Sequence, residues 1–401
     1  MRRLIEALAT TPLVNQRTEI VERKGLGHPD SICDGAMEHL SQVMAREYVE
    51  RSGAIQHYNF DKCLLAAGSV EHRFGGGRVL APMRLVIGDR ATFEANGVAI
   101  PVADVAREAT AAWFRANLPG VHPDRHLEID VALRPASPEL AGLFRPGGGP
   151  PPANDTSALV GYAPLTPTEQ LVLHTEQYLN SPAFKARFPE SGEDVKVMGV
   201  RVDAAVTLTV AMPLLEHLIE SEAAYFQRKA AVEEDLTAFV ARAAGGLSTT
   251  VALNTLDRPG AGIDGVYLSL LGTSAEDADS GQVGRGNRVN GIISLHRPAP
   301  AEAAAGKNPI SHVGKIYNVL SHHIAGRIYA EVPGLAEVYV WLCSQIGQPV
   351  DRPELAAAQV VLQPGVALDR VQSRISEIID AELAGIGRFT ADLAVGRYRV
   401  Y

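Results

Sequence analysis

Apolar positions along the chain follow two periods, one of about 3.6 residues and one of two. From 31 to 51 the helical period holds, with Ile32, Ala36, Leu40, Val43 and Met44 on one face and Gly53 as the stop. The spacing predicts a helix entered through His28-Pro29-Asp30. Pro29 suits a first helical turn, Asp30 can cap it, and free N–H groups there favour an anion. Residues 54–90 read as strands broken at Gly75-Gly76-Gly77. A helix is predicted over 102–118, with Val105, Ala109 and Ala112 on one face, and 126–135 alternates as a strand. Thr166, Pro167 and Glu169 make a capping box that opens a helix running to Leu179. Residues 195–212 read as a hairpin turning near Asp203, 214–244 as a long helix, interrupted or not, and 265–274 as a buried strand. The remainder predicts a helix over 312–330, a strand over 337–347 and an amphipathic helix over 368–383. Several strand pairs in hairpin form argue for an α+β fold of packed sheets, not a doubly wound parallel one.

The 401 residues suffice for two or three domains. The element order divides into three thirds of similar content, near 1–145, 146–264 and 265–401, with segments interleaved. Apolar residues at 46% and charged ones at 21% are an ordinary globular balance. A net charge of −9 argues against nucleic acid or an anionic membrane as partner. The three cysteines, Cys33, Cys63 and Cys343, are widely spaced without a CxxC, so neither a disulfide framework nor a zinc site is expected from them. No apolar run reaches the roughly 18 residues of a membrane span. The N-terminal apolar run is too short for a signal peptide, and a cytoplasmic location is expected. RPGGGPPPAND (145–155) is the one low-complexity stretch and reads as a surface loop.

The candidate chemistry concentrates in 279–315. Two glycine-flanked basic runs, GRGNR (284–288) and AGKNP (305–309), place Arg285, Arg288, Lys307 and Lys315 among residues that let backbone N–H groups approach a ligand. Spread positive charge, forked Arg donors and little side-chain bulk suit a polyphosphate. The stretch is no Walker A loop, since Asn308 follows Lys307 and position 301 is Ala. Nor is it a dinucleotide fingerprint, because Val289 stands at the third glycine position. Taken singly, each stretch also reads as a solvated turn, Asp30 as a simple cap and His28 as structural.

Three longer strings change that balance: VERKGLGHPDSICDG (21–35), ANDTSALVGYAPLTPTE (153–169) and GRGNRVNGIISLHRPAPAEAAAGKNPISHVGKIYNVL (284–320). Together and in this order they resemble the archaeal-type S-adenosylmethionine synthetase (methionine adenosyltransferase) family, over nearly the whole chain. The resemblance implies a transferase that joins L-methionine to ATP by sulfur attack on ribose C5′. The triphosphate released is cleaved to pyrophosphate and phosphate. It also implies Mg2+, often with K+, three similar α+β domains around a pseudo-threefold axis, and a homodimer or tetramer with active sites between subunits. By the same resemblance, His28 lies near the ribose oxygen and triphosphate, Asp30 is a magnesium ligand, and Arg285 and Lys307 grip the triphosphate. Asp155 falls at the methionine end, Asp279 is a carboxylate for the methionine ammonium, and His312 takes the place of a further phosphate-contacting lysine. Arg288 and Lys315 join the substrate-binding set, Lys315 on charge and spacing alone.

Some positions depart from the pattern. Gly286 stands for a second basic residue, which Arg288 can replace, and Gly314 stands for a metal-binding aspartate. The string RPASPEL (134–140) lacks the glycines of its family counterpart, so no ATP is placed there. Lys196 and Arg201 are the candidates for a methionine-pocket lysine. These departures leave two alternatives: adenosylation of a different thioether, and a catalytically silent ATP-binding subunit.

Overall fold

The computed structural model describes residues 1–136 and 151–401. Three sheets organise them, each covered by helices and each with its own apolar core. The architecture is α+β, as the hairpin pattern predicts. The first sheet runs Arg134–Pro135, Met83–Ala91, Tyr58–Ala66, Gly281–Gln282, with Leu127–Val131 also beside Met83–Ala91. Helices Pro29–Ser52 and Val102–Asn117 cover it, burying Ile32, Met37, Leu40 and Phe114 against Phe60 and Leu85. The second runs Ser248–Leu253, Ala205–Ala211, Lys196–Val202, Thr18–Lys24, Ile293–Ser294, under helices Pro167–Leu179 and Glu222–Ala243. The third runs Arg2–Ala7, Leu355–Leu362, Leu335–Cys343, Ala158–Ala163, under helices Val313–Glu331, Gln372–Ala384 and Ile386–Ala394.

The predicted long helix over 214–244 starts only at Glu222, where the Ser221 side chain accepts from Ala224 N. Upstream, Leu214–Leu215 pairs in parallel with Leu268–Ser269, and Glu216–Leu218 is a single 3-10 turn. The predicted strand over 265–274 shrinks to Leu268–Ser269. Its next two backbone donors, Leu270 N and Leu271 N, bond to the Glu276 carboxylate instead of to a neighbouring strand. The parallel pair Arg2–Ala7 and Leu355–Leu362 is not foreseen by the pattern. LAAAQVVL is buried on both faces and so lacks the alternation that marks a half-exposed strand.

The stretch 279–315 crosses all three bodies. Gly281–Gln282 pairs with Tyr58–Ala66 in the first sheet, Ile293–Ser294 pairs with Thr18–Lys24 in the second, and Val313 opens a helix on the third. Helix Pro29–Ser52 follows directly from the second sheet's Thr18–Lys24 and packs on the first sheet. Among the described residues no helix is long and apolar enough to cross a membrane.

Candidate active site

His28 is the N-cap of helix Pro29–Ser52, and its Nδ1 accepts from Asp30 N at 3.2 Å. Burial, then the nearby Lys24 charge, lowers the imidazole to about 4, so the ring is neutral at pH 7. With Nδ1 accepting, the proton sits on Nε2, which makes that nitrogen a neutral donor. The buried Asp30 carboxylate lies 2.8 Å from Lys24 Nζ, accepts from Gln282 N at 2.9 Å, and stands 3.9 Å from Arg285 Nε. One turn further, Asp34 Oδ1 accepts from Gly284 N at 2.8 Å, and burial raises this carboxyl to about 7. Another turn on, Glu38 Oε2 pairs with Lys315 Nζ at 2.6 Å and accepts from Gly306 N at 3.2 Å. Ser41 Oγ donates to Lys307 O at 3.0 Å. Positions 30, 34, 38 and 41 fall on one stripe of a helix, spanning about 12 Å from Asp30 to Glu38. The helix is therefore a rail to which both basic loops are fastened.

At Gly286 a Cβ would stand 2.3 Å from Asp34 Oδ2, so the GRGNR backbone lies directly on the rail. That contact accounts for the missing basic residue at this position. Arg285 projects outward with 70% of its side chain exposed, while half-buried Arg288 donates to Gly284 O at 3.2 Å. In the AGKNP loop the buried Lys307 ammonium pairs with Asp61 and lies 3.1 Å from Glu302 Oε2. Burial alone would push Asp61 up; Lys307 and Lys62 outweigh it and hold the carboxyl at about 2. His312 repeats the His28 device: it caps helix Val313–Glu331, its Nδ1 accepts from Gly314 N at 3.2 Å, and burial and Lys307 lower it to about 3. A Cβ at Gly314 would meet Glu302 Oε2 and Lys307 Cε at 3.0 Å, so Glu302 fills the space an aspartate there would use.

The expected residues thus form two groups along one helix. His28, Asp30, Arg285 and Arg288 meet at its start, and exposed Asp279 is close enough for its charge to act on His28. Lys307 and His312 meet further along. Exposed Asp155 joins this second group through its neighbour Asn154, whose Oδ1 accepts from Val313 N at 3.2 Å. Lys315 departs from expectation: it is 0% exposed and turned onto Glu38 and Ser41 Oγ, away from any ligand surface. Arg201 is likewise internal, bound to Glu19 and to the carbonyls of Leu13 and Gln16, whereas Lys196 is half-exposed beside Glu22 and acts electrostatically on His28. Residues 137–140 of RPASPEL and 145–150 of the loop, with the boundary near 145, lie outside the described residues.

Lys24, Asp34, Glu38, Asp61 and Glu302 were not anticipated. The first three had a signal in the i, i+4 spacing after Asp30 and in the strand end before it. Asp61 had none: a register shift between Asn59 and Lys62 turns it off the core face. A cavity of about 650 Å3 lined by Lys24, Ser31, Glu38, Trp113 and Tyr401 flanks the same helix but does not include His28, Asp30 or Arg285.

The family model for S-adenosylmethionine synthetase (AdoMet synthetase) matches residues 2–397. The S-adenosylmethionine synthase of Caldivirga maquilingensis is 42% identical over 400 residues, 98% of each chain. That of Pyrobaculum neutrophilum is 43% identical over 403 residues, covering 99% of this chain and 100% of its own. Among solved structures, an unusual S-adenosylmethionine synthetase from Campylobacter jejuni has the same fold at a TM-score of 0.60, with 15% identity over 95% of this chain and 94% of its own. Agreement of this kind along the full length shows that the chain belongs to the S-adenosylmethionine synthetase family, methionine adenosyltransferases that make S-adenosylmethionine from ATP and L-methionine.

Proposed function

We propose that the two groups along helix Pro29–Ser52 form one clamp for the triphosphate of ATP, with methionine sulfur attacking ribose C5′ beside it. The observation that carries this reading is the pair of histidine-capped helix starts, at His28 and His312, each fastened with a basic loop to the same acidic rail. A helix start favours an anion, and a neutral histidine there donates a hydrogen bond without adding charge. The sulfur–C5′ bond forms as the C5′–O5′ bond breaks, and the electron pair leaves on the triphosphate. The thioether becomes a sulfonium and has no proton to lose, so no general base is needed. What the site contributes is alignment and stabilisation of the leaving charge. His28 Nε2–H donates to the departing oxygen, Arg285 and Arg288 hold phosphate oxygens, and Lys307 reaches the same group from its pairing with Asp61 and Glu302. Asp279 receives the methionine ammonium and His312 contacts the phosphates, while Asp155, in the other group of this chain, reaches the methionine end of a site shared between subunits. Lys315 holds Glu38 in place and touches no substrate.

The donor set fits Mg2+. Asp30 is a buried carboxylate already facing a cation, the Lys24 ammonium, and a Mg2+ site needs only one or two protein carboxylates when phosphates complete it. Asp30 would hold one ion and Glu302 a second, in the space left by Gly314. Bound there, Mg2+ supplies charge neutralisation for the leaving triphosphate and for its hydrolysis. K+ belongs to the same proposal without an assigned residue. Exposure of Arg285, Asp279 and Asp155 in a single chain supports a homodimer with sites closed between subunits, and absence of a membrane-crossing helix among the described residues accords with a cytoplasmic enzyme.

Incubation with ATP, Mg2+ and L-methionine tests the assignment. His28→Ala and Lys307→Ala should each lower S-adenosylmethionine formation by about 10²–10³, with an unchanged circular dichroism spectrum. Full activity in either variant would overturn the site.

A further inference from the structure

Outside the clamp, the short hairpin Ser69–Glu71/Arg78–Ala81 carries a histidine into a set of carboxylates from other segments. His72 Nε2 lies 2.9 Å from Asp277 Oδ2, and its Nδ1 lies 3.2 Å from Glu216 Oε2. Candidate donor atoms of His72, Glu276 and Asp277 all fall within 4.8 Å of one another. We propose that these three residues bind a borderline divalent transition ion of the Zn2+ class, with Glu216 orienting the histidine.

The second contact of the ring carries the argument beyond simple proximity. A histidine that binds a metal through one nitrogen almost always donates its other N–H to a carboxylate, which fixes the tautomer and the ring plane. Glu216 does this here and is itself built in: it is 0% exposed and accepts from Gly77 N at 2.8 Å and from Arg73 N at 3.3 Å. A Cβ at Gly77 would sit 2.0 Å from Glu71 O and 2.6 Å from Glu216 Oε1, so glycine at 77 is what lets the backbone close over that carboxylate. Glu276, 2% exposed, is equally fixed, accepting from Leu270 N, Leu271 N and Ser269 Oγ. With Nδ1–H given to Glu216, the Nε2 lone pair would face Asp277 Oδ2 at 2.9 Å, with the Glu276 carboxylate in the same cluster. Something positive must stand between them: a second ring proton or a cation. Entry of the cation sends that proton to solvent.

Donors held tetrahedrally at about 2.0–2.1 Å from Zn2+ lie about 3.4 Å apart, so the set would contract from its 4.8 Å limit on binding, with Asp277 the exposed member free to rotate. One imidazole with two carboxylates and an open water position favours Zn2+, Co2+ or Ni2+ over Mg2+, which prefers oxygen alone. The ion would staple the hairpin to the segments at 216 and 274–277, two residues before Asp279.

Co2+ titration of the chelator-stripped full chain, with excess Mg2+ keeping hard oxygen sites filled, tests the site. One Co2+ per chain with visible d–d absorption is expected. His72→Ala and Asp277→Asn should abolish it, and Glu216→Gln should weaken it by about 10–100-fold. Asp277→Asn changes an exposed side chain, so a folded variant is available whatever His72→Ala does. No Co2+ retained under excess Mg2+, or undiminished retention in folded Asp277→Asn and His72→Ala, would leave His72 as a protonated bridge between carboxylates and overturn the proposal. Either result leaves the transferase assay, and hence the clamp, untouched.

Discussion

Asp34 combines a fixed hydrogen bond with an unfavourable charge. Its Oδ1 anchors Gly284 N at 2.8 Å, yet the carboxyl is raised from 3.8 to about 7 because burial outweighs Gly284, Arg288 and Lys24. The raised value means the fold prefers the protonated acid. Its contribution to stability is fully present below about pH 4 and is lost as pH rises through about 7, on the order of 4 kcal/mol across that window. An asparagine side chain at this position would keep an acceptor for Gly284 N without the charge. In metal-free buffer, the melting temperature of Asp34→Asn relative to wild type should therefore rise from pH 5 to pH 8. A pH-independent difference would mean that Asp34 ionises in the fold without cost. At this scale the sequence displayed the outer residues of the site better than its supports. His28, Asp30 and Arg285 stand in recognisable strings, while Asp34 and Glu38 show only their i, i+4 spacing after Asp30 until their loop partners are known.

The acidic rail acts as a unit because its members sit at helical spacing and each takes a partner from a different loop. Glu38 and Lys315 form its most buried pair, at 4% and 0% exposure. Desolvation lowers Lys315 despite the opposing carboxylate. Removing one partner of such a pair typically costs about 3–5 kcal/mol, whereas replacing both is often close to neutral. Lys315→Met should thus lower urea-unfolding stability by about that amount, and adding Glu38→Gln should recover most of it while keeping an acceptor for Gly306 N. A neutral single variant would contradict a charged buried pair. Elements whose signals are local were legible at this scale. The Thr166 capping box is present, with Thr166 accepting from Glu169 N at 3.1 Å and Glu169 accepting from Thr166 N at 2.8 Å. Elements set by distant partners were not. The stretch 214–221 has helical apolar spacing, but Leu214–Leu215 is claimed by Leu268–Ser269 and Gly75 N bonds to the carbonyls of Glu216 and Ile219.

Across the whole molecule, relative placement of the two basic loops depends on what holds the chain between them. Arg297 is the fixed point there. Its guanidinium meets both Glu169 oxygens at 3.1 and 3.2 Å, donates to Pro164 O and Tyr339 Oη at 2.9 Å each, and lies 4.5 Å over the Tyr162 ring. Glu169 belongs to a helix of the second body, and Tyr162 and Tyr339 to strands of the third. One side chain therefore ties two bodies together about midway between Arg288 and Lys307. Lysine cannot reproduce this fork, so Arg297→Lys should leave Glu169 poorly paired and cost about 3–5 kcal/mol. Because the Arg297 side chain is buried, a purely structural loss would lower the melting temperature and leave KM for ATP unchanged. If the hub also sets loop spacing, KM for ATP should rise several-fold in the folded variant at a temperature well below its melting point. An unchanged KM there would show that the rail on helix Pro29–Ser52 fixes the clamp by itself.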